Sequence, residues 1–100
     1  MKFEIKESKL KRIVYRYLEH DYELKTISEF DGNYSLCNEE TTFCNIHYEK
    51  DDGICQIYYG LIDEVSNFFS IDPSRSVNMI INYFQDKVGV KVKGWDYLYD

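Results

Sequence analysis

Proline occurs once in this chain of 100 residues, glycine five times, and no apolar run extends beyond a few positions. Each shortage excludes something. Without Pro-, Gly- or Ser-rich stretches there is no composition for a linker, so residues 1–100 are expected to form a single domain. Without a run of about 20 apolar residues, no membrane-spanning helix is expected. Charge from Lys2 onward predicts no signal peptide. Cysteine is scarce and odd in number. Cys37, Cys44 and Cys55 lack C-x-x-C spacing, which predicts three free thiols in a reducing compartment. Positive charge is also in deficit, with 12 Lys and Arg against 18 Asp and Glu. Such a balance disfavours nucleic acid as a partner. EF-hand spacing, a Walker loop, GxGxxG, HExxH and GxSxG are all missing, so neither enzymatic activity nor a cofactor is expected.

What is abundant is aromatic. Ten Tyr, six Phe and one Trp cannot all be core, and tyrosine in such numbers suits half-buried sheet faces and wet interfaces. Charge is also divided along the chain. Residues 1–19 hold six Lys/Arg against three Glu, residues 20–72 two Lys against twelve acids, and residues 73–100 four basic against three acidic groups. A surface dominated by one sign selects partners through its long-range field.

The apolar spacing predicts an α+β fold: an N-terminal helix, an antiparallel meander of about four strands, and a C-terminal helix pair with a final edge strand. Leu10, Ile13, Val14, Tyr17 and Leu18 give residues 6–19 one apolar helical face, with Lys9, Arg12 and Arg16 beside it. Strands are expected at Leu24–Phe30, Tyr34–Cys37, Thr42–Glu49 and Ile54–Tyr59, with a tight turn at Asp31-Gly32-Asn33. A three-residue loop Asp51-Asp52-Gly53 would pair Lys50 with Ile54. Cys44, Ile46, Tyr48, Ile54 and Tyr58 would then share the core face, and Phe43, His47, Cys55, Ile57 and Tyr59 the other. A helix is expected from Leu61. Asp72 and Pro73 should start the next, Gly89 should stop it, and Val90–Lys93 should form the last strand.

Four constellations invite chemistry. Cys37, Cys44, His47 and Cys55 have donor types for zinc, but the spacing lies within strands, and the expected register turns Cys44 away from His47 and Cys55. Cys55 and His47 on one face would suit a thiolate–imidazole pair, with nothing to orient the imidazole. Residues 61–87 have a helix–turn–helix outline, yet the second helix offers only Arg75, Asn78 and Asn82 to a phosphate backbone. Trp95, Tyr97, Leu98 and Tyr99 either cap the core or form an exposed anchor for a partner. No metal ligand or catalytic residue is assigned. The candidate protein-binding residues are Trp95, Tyr97, Tyr99, Lys9, Arg12 and Arg16.

The opening FEIKESKLKRIVYRYLEHDYEL and the segment LIDEVSNFFSIDPSRSVNMIINYFQDKVGVKV resemble parts of short proteins encoded by tailed bacteriophages. The resemblance implies a viral accessory protein or virion component, located in the host cytoplasm or the virion, and carries no site residues. The leading expectation is a small non-enzymatic protein that binds a protein partner or itself. The alternative is an acidic inhibitor that mimics phosphate or blocks a host defence.

Overall fold

A computed structural model describes residues 6–39 and 44–99, and it has the expected α+β class. Leu10, Val14, Tyr17 and Leu18 are buried together and draw the first segment into helix α1 (Glu7–Arg16). Ile13, expected on the same face, is exposed. α1 continues as a π-helical turn over Tyr17–Asp21, closed by Tyr22 N–H donating to the Tyr17 carbonyl at 2.9 Å.

Four antiparallel strands follow: β1 (Leu24–Phe30), β2 (Asn33–Asn38), β3 (Cys44–Glu49) and β4 (Ile54–Tyr58). Asp31 and Gly32 turn β1 into β2, both at positive φ (54° and 83°), as a two-residue hairpin loop requires. The expected start of β3 at Thr42 and Phe43 lies outside the described residues.

The β3–β4 register differs from the expected one by a single residue. The loop has four residues, Lys50 to Gly53, because Gly53 N–H closes on the Glu49 carbonyl at 2.8 Å and Glu49 pairs with Ile54. A one-residue shift exchanges the faces of a strand. Ile46 and Tyr48 therefore share the core face with Cys55 and Ile57, while His47, Gln56, Ile54 and Tyr58 take the other.

β4 runs directly into helix α2 (Tyr59–Phe69), two residues earlier than expected. Gly60 permits this junction, since a Cβ there would lie 2.5 Å from the Tyr58 ring. Asp72 caps helix α3 (Pro73–Val88) by accepting from Arg75 N–H at 2.9 Å, and Gly89 ends it. Between α2 and α3, Ser66 Oγ lies 2.7 Å from Ser76 Oγ and donates to the Ile62 carbonyl (2.7 Å), a buried hydroxyl pair.

The last strand, β5, is Gly94–Leu98 and not Val90–Lys93. The earlier segment is tied down as a connection. Val92 N–H meets Gln85 Oε1 at 2.8 Å, and Lys93 N–H meets the Gly53 carbonyl at 2.8 Å. β5 lies parallel to β4, giving the sheet order β1-β2-β3-β4-β5 with β1 and β5 at the edges. Leu36, Ile46, Tyr48, Cys55 and Ile57 pack under the helices with Val14, Leu18, Leu61, Ile62, Ile80 and Phe84.

Candidate protein-binding edge

Trp95 pairs with Cys55 and Tyr97 with Ile57 across the parallel ladder, so both aromatics project on the face that carries the core. Cys55 and Ile57 are fully covered by the helices, whereas Trp95 and Tyr97 are 38% and 40% exposed. The apolar face of the sheet thus runs one strand further than its cover. Along that strip the rings form a chain. Trp95 meets Tyr97 edge to face at 4.9 Å, Tyr97 meets Tyr99 at 5.7 Å, and Tyr99 meets Tyr59 at 5.4 Å. Of the two expectations for this cluster, the exposed one describes Trp95, Tyr97 and Tyr99. Tyr59 joins them unforeseen, because its proximity to Tyr99 depends on a crossover of two helices that residue spacing does not reveal.

The two sheet edges differ. β1 is interrupted by a bulge between Leu24 and Thr26 and carries Lys25 and Glu29, features that discourage strand addition, beside the exposed Ile27 and Phe30. β5 pairs with β4 without interruption, and Asp96 is its one charged residue. Asp96 Oδ1 accepts from Tyr97 N–H at 2.7 Å.

The second expected patch, Lys9, Arg12 and Arg16, lines one exposed face of α1 with Ile13, around a shallow groove of about 280 Å³. None of the three has a carboxylate partner among the described residues. It lies on a different element from the β5 aromatics, so the six candidate residues form two surfaces.

The acids of the middle segment divide into groups. Glu29, Asp31, Glu49, Asp51 and Asp52 gather where the β1–β2 and β3–β4 loops share one end of the sheet. Lys50 lies across Gly32 there, and Lys93 beside Gly53. Glu39 pairs with Lys25 at 3.4 Å, Glu64 accepts from the Tyr17 hydroxyl at 3.0 Å, and Asp72 caps α3. Glu40 lies outside the described residues. These acids therefore divide between one cluster bordered by Lys50 and Lys93 and separate local contacts elsewhere.

The cysteine expectation is corrected. Cys37 and Cys44 are cross-strand partners joined in a disulfide, and Cys55 alone is free. The expected meander made β2 and β3 neighbours, but only their register, with a shift between Leu36 and Cys37, sets Cys37 opposite Cys44. The inference to a reducing compartment falls with the free-thiol expectation. Burial pushes the Cys55 thiol up to about 12, an inert core position. His47 and Cys55 project from opposite faces of the sheet, which separates the proposed nucleophile pair. His47 Nδ1 instead lies 2.8 Å from Ser35 Oγ on the open face. Among the described residues no three His, Cys, Asp or Glu side chains converge on a point that could hold a metal ion.

Residues 59–88 do form two successive helices. Arg75, however, pairs with Glu7 at 2.6 Å rather than standing alone on that face. Among the described residues no helix is long and apolar enough to cross a membrane. No family model, curated protein or solved structure matches this chain.

Proposed function

We propose that this chain is a small non-enzymatic protein that works by binding protein through its β5 edge. The carrying observation is the exposed aromatic strip of Trp95, Tyr97, Tyr99 and Tyr59 along the β5 edge strand. Tryptophan and tyrosine offer large contact area with little side-chain freedom to lose, and they dominate interface hot spots. An edge strand adds unpaired backbone groups that an incoming strand satisfies. The division of the acids between one lysine-bordered cluster and separate local contacts favours this reading over phosphate mimicry, which needs charge spaced like a nucleic-acid backbone. The setting we propose for it is that of a viral accessory or structural subunit.

The test is capture from the lysate in which the protein is naturally made. The wild-type chain should retain a specific protein that a folded Trp95→Ala/Tyr97→Ala variant loses. Equal capture by both chains refutes the reading.

A further inference from the structure

The aromatic strip has an internal symmetry. Rings occupy positions 95, 97 and 99, with Asp96 and Leu98 between them on the opposite face. Reversing the strand about Tyr97 reproduces the pattern. An antiparallel copy laid along the same edge therefore places a ring opposite a ring at all three positions. An unrelated extended segment matches the strip only by coincidence. This strand matches itself by construction.

We propose that β5 pairs edge to edge with β5 of a second copy of this chain, antiparallel, about a two-fold axis at Tyr97. The inference rests on the reading of β5 as a binding edge and names its partner. Trp95 then lies opposite Tyr99 of the second copy, Tyr97 opposite its counterpart, and Asp96 opposite Leu98 of the second copy.

The neighbouring register, centred on Asp96, sets the two Asp96 carboxylates directly opposite one another, and like charges so placed repel. It also matches only Trp95 with Tyr97, leaving Tyr99 without an aromatic partner. In the Tyr97-centred register, Trp95 of the second copy extends the existing Tyr59–Tyr99 contact, so the strip becomes a continuous band across two molecules. The Tyr97 N–H now covered by Asp96 becomes available to a carbonyl of the second copy once that carboxylate swings away. Pairing consumes two of the four sheet edges present in two separate molecules. The β1 edges, with their bulge and charges, remain as the termini of a ten-stranded sheet. The interface is isologous and closes on itself, so association stops at the dimer.

Two measurements on the full chain test this. Light scattering of the wild-type protein across a concentration series should rise from monomer to dimer mass and no further. Variants with one added cysteine, made in a Cys55→Ala background because Trp95 stands beside that free thiol in the ladder, then read the register under mild oxidation. Directly opposed residues in an antiparallel pair have Cα atoms about 4.5–5.5 Å apart, within disulfide reach. Tyr97→Cys should cross-link to itself, while Asp96→Cys should not. Trp95→Cys mixed with Tyr99→Cys should give the heterodimer. The Cys55→Ala protein without an added cysteine is the control. A strict monomer that still captures another protein through Trp95 and Tyr97 overturns self-pairing while the wider reading stands. Efficient Asp96→Cys self-linkage overturns the register. A chain that neither pairs nor captures anything overturns both readings.

Discussion

Trp95 stands beside Cys55 in the β4–β5 ladder, the indole at the rim and the thiol beneath the helices, on one face of one sheet. The boundary between core and surface therefore falls between two adjacent strands. Trp95 is the chain's single tryptophan, so its emission reports that boundary alone. At concentrations low enough to keep copies apart, acrylamide should quench it readily. Pairing or partner binding should shift emission to the blue and reduce quenching. Quenching resistance in dilute monomer would place Trp95 in the core and contradict the assignment.

The one-residue difference in the β3–β4 hairpin makes a sharp comparison. Ile57 is fully buried on the core face, and Ile54 lies on the open face. Ile57→Ala should lower unfolding stability by about 2–5 kcal/mol through lost burial and a residual cavity. Ile54→Ala should cost about 1 kcal/mol or less, having less surface to lose. Denaturant midpoints check both, and the reverse ranking would restore the three-residue loop.

Thiol counting checks the disulfide. The folded, unreduced protein should resist alkylation, because Cys37 and Cys44 are bridged and Cys55 is buried. Denaturation without reductant should expose one thiol, and denaturation with reductant three. Closing so short a loop restricts the unfolded chain by roughly 2–3 kcal/mol in the chain-entropy view, so reduction should lower the denaturant midpoint without unfolding the sheet. Three thiols labelled before reduction would contradict the bridge.

His47 makes stability depend on pH with a definite sign. Its half-buried position pulls its pKa below the ordinary histidine value. The unfolded chain therefore takes up this proton first as pH falls. The neutral imidazole favours the folded state fully above the unfolded pKa of about 6.5, and stability is withdrawn as pH drops through that value. Between about pH 8 and about pH 5, the denaturant midpoint of wild type should fall more than that of His47→Gln. Identical slopes would remove His47 from the account.

Much of the fold was legible in residues because local signals agreed with the global arrangement. Asp31-Gly32 supports a primed turn between β1 and β2. Asp72-Pro73 opens a helix, and Gly89 closes it. The misreadings came from interactions that residue spacing does not carry. The β3–β4 loop length was decided by the Gly53 to Glu49 hydrogen bond, and the last strand by tethers from Gln85 and Gly53 to Val92 and Lys93. The same holds for the candidate edge. Trp95, Tyr97 and Tyr99 stood out by composition, but Tyr59 depended on the crossover that brings β5 beside α2, and the Cys37–Cys44 bridge on the β2–β3 register.

Amide hydrogen exchange on the free and the bound chain reads backbone protection strand by strand and so locates the binding edge. The account predicts that binding slows exchange at Trp95, Tyr97 and Tyr99, while the β1 edge from Leu24 to Phe30 stays as it was. Protection that instead appears along Lys9–Arg16, or on the open face around Ser35 and His47, with β5 unchanged, would contradict it.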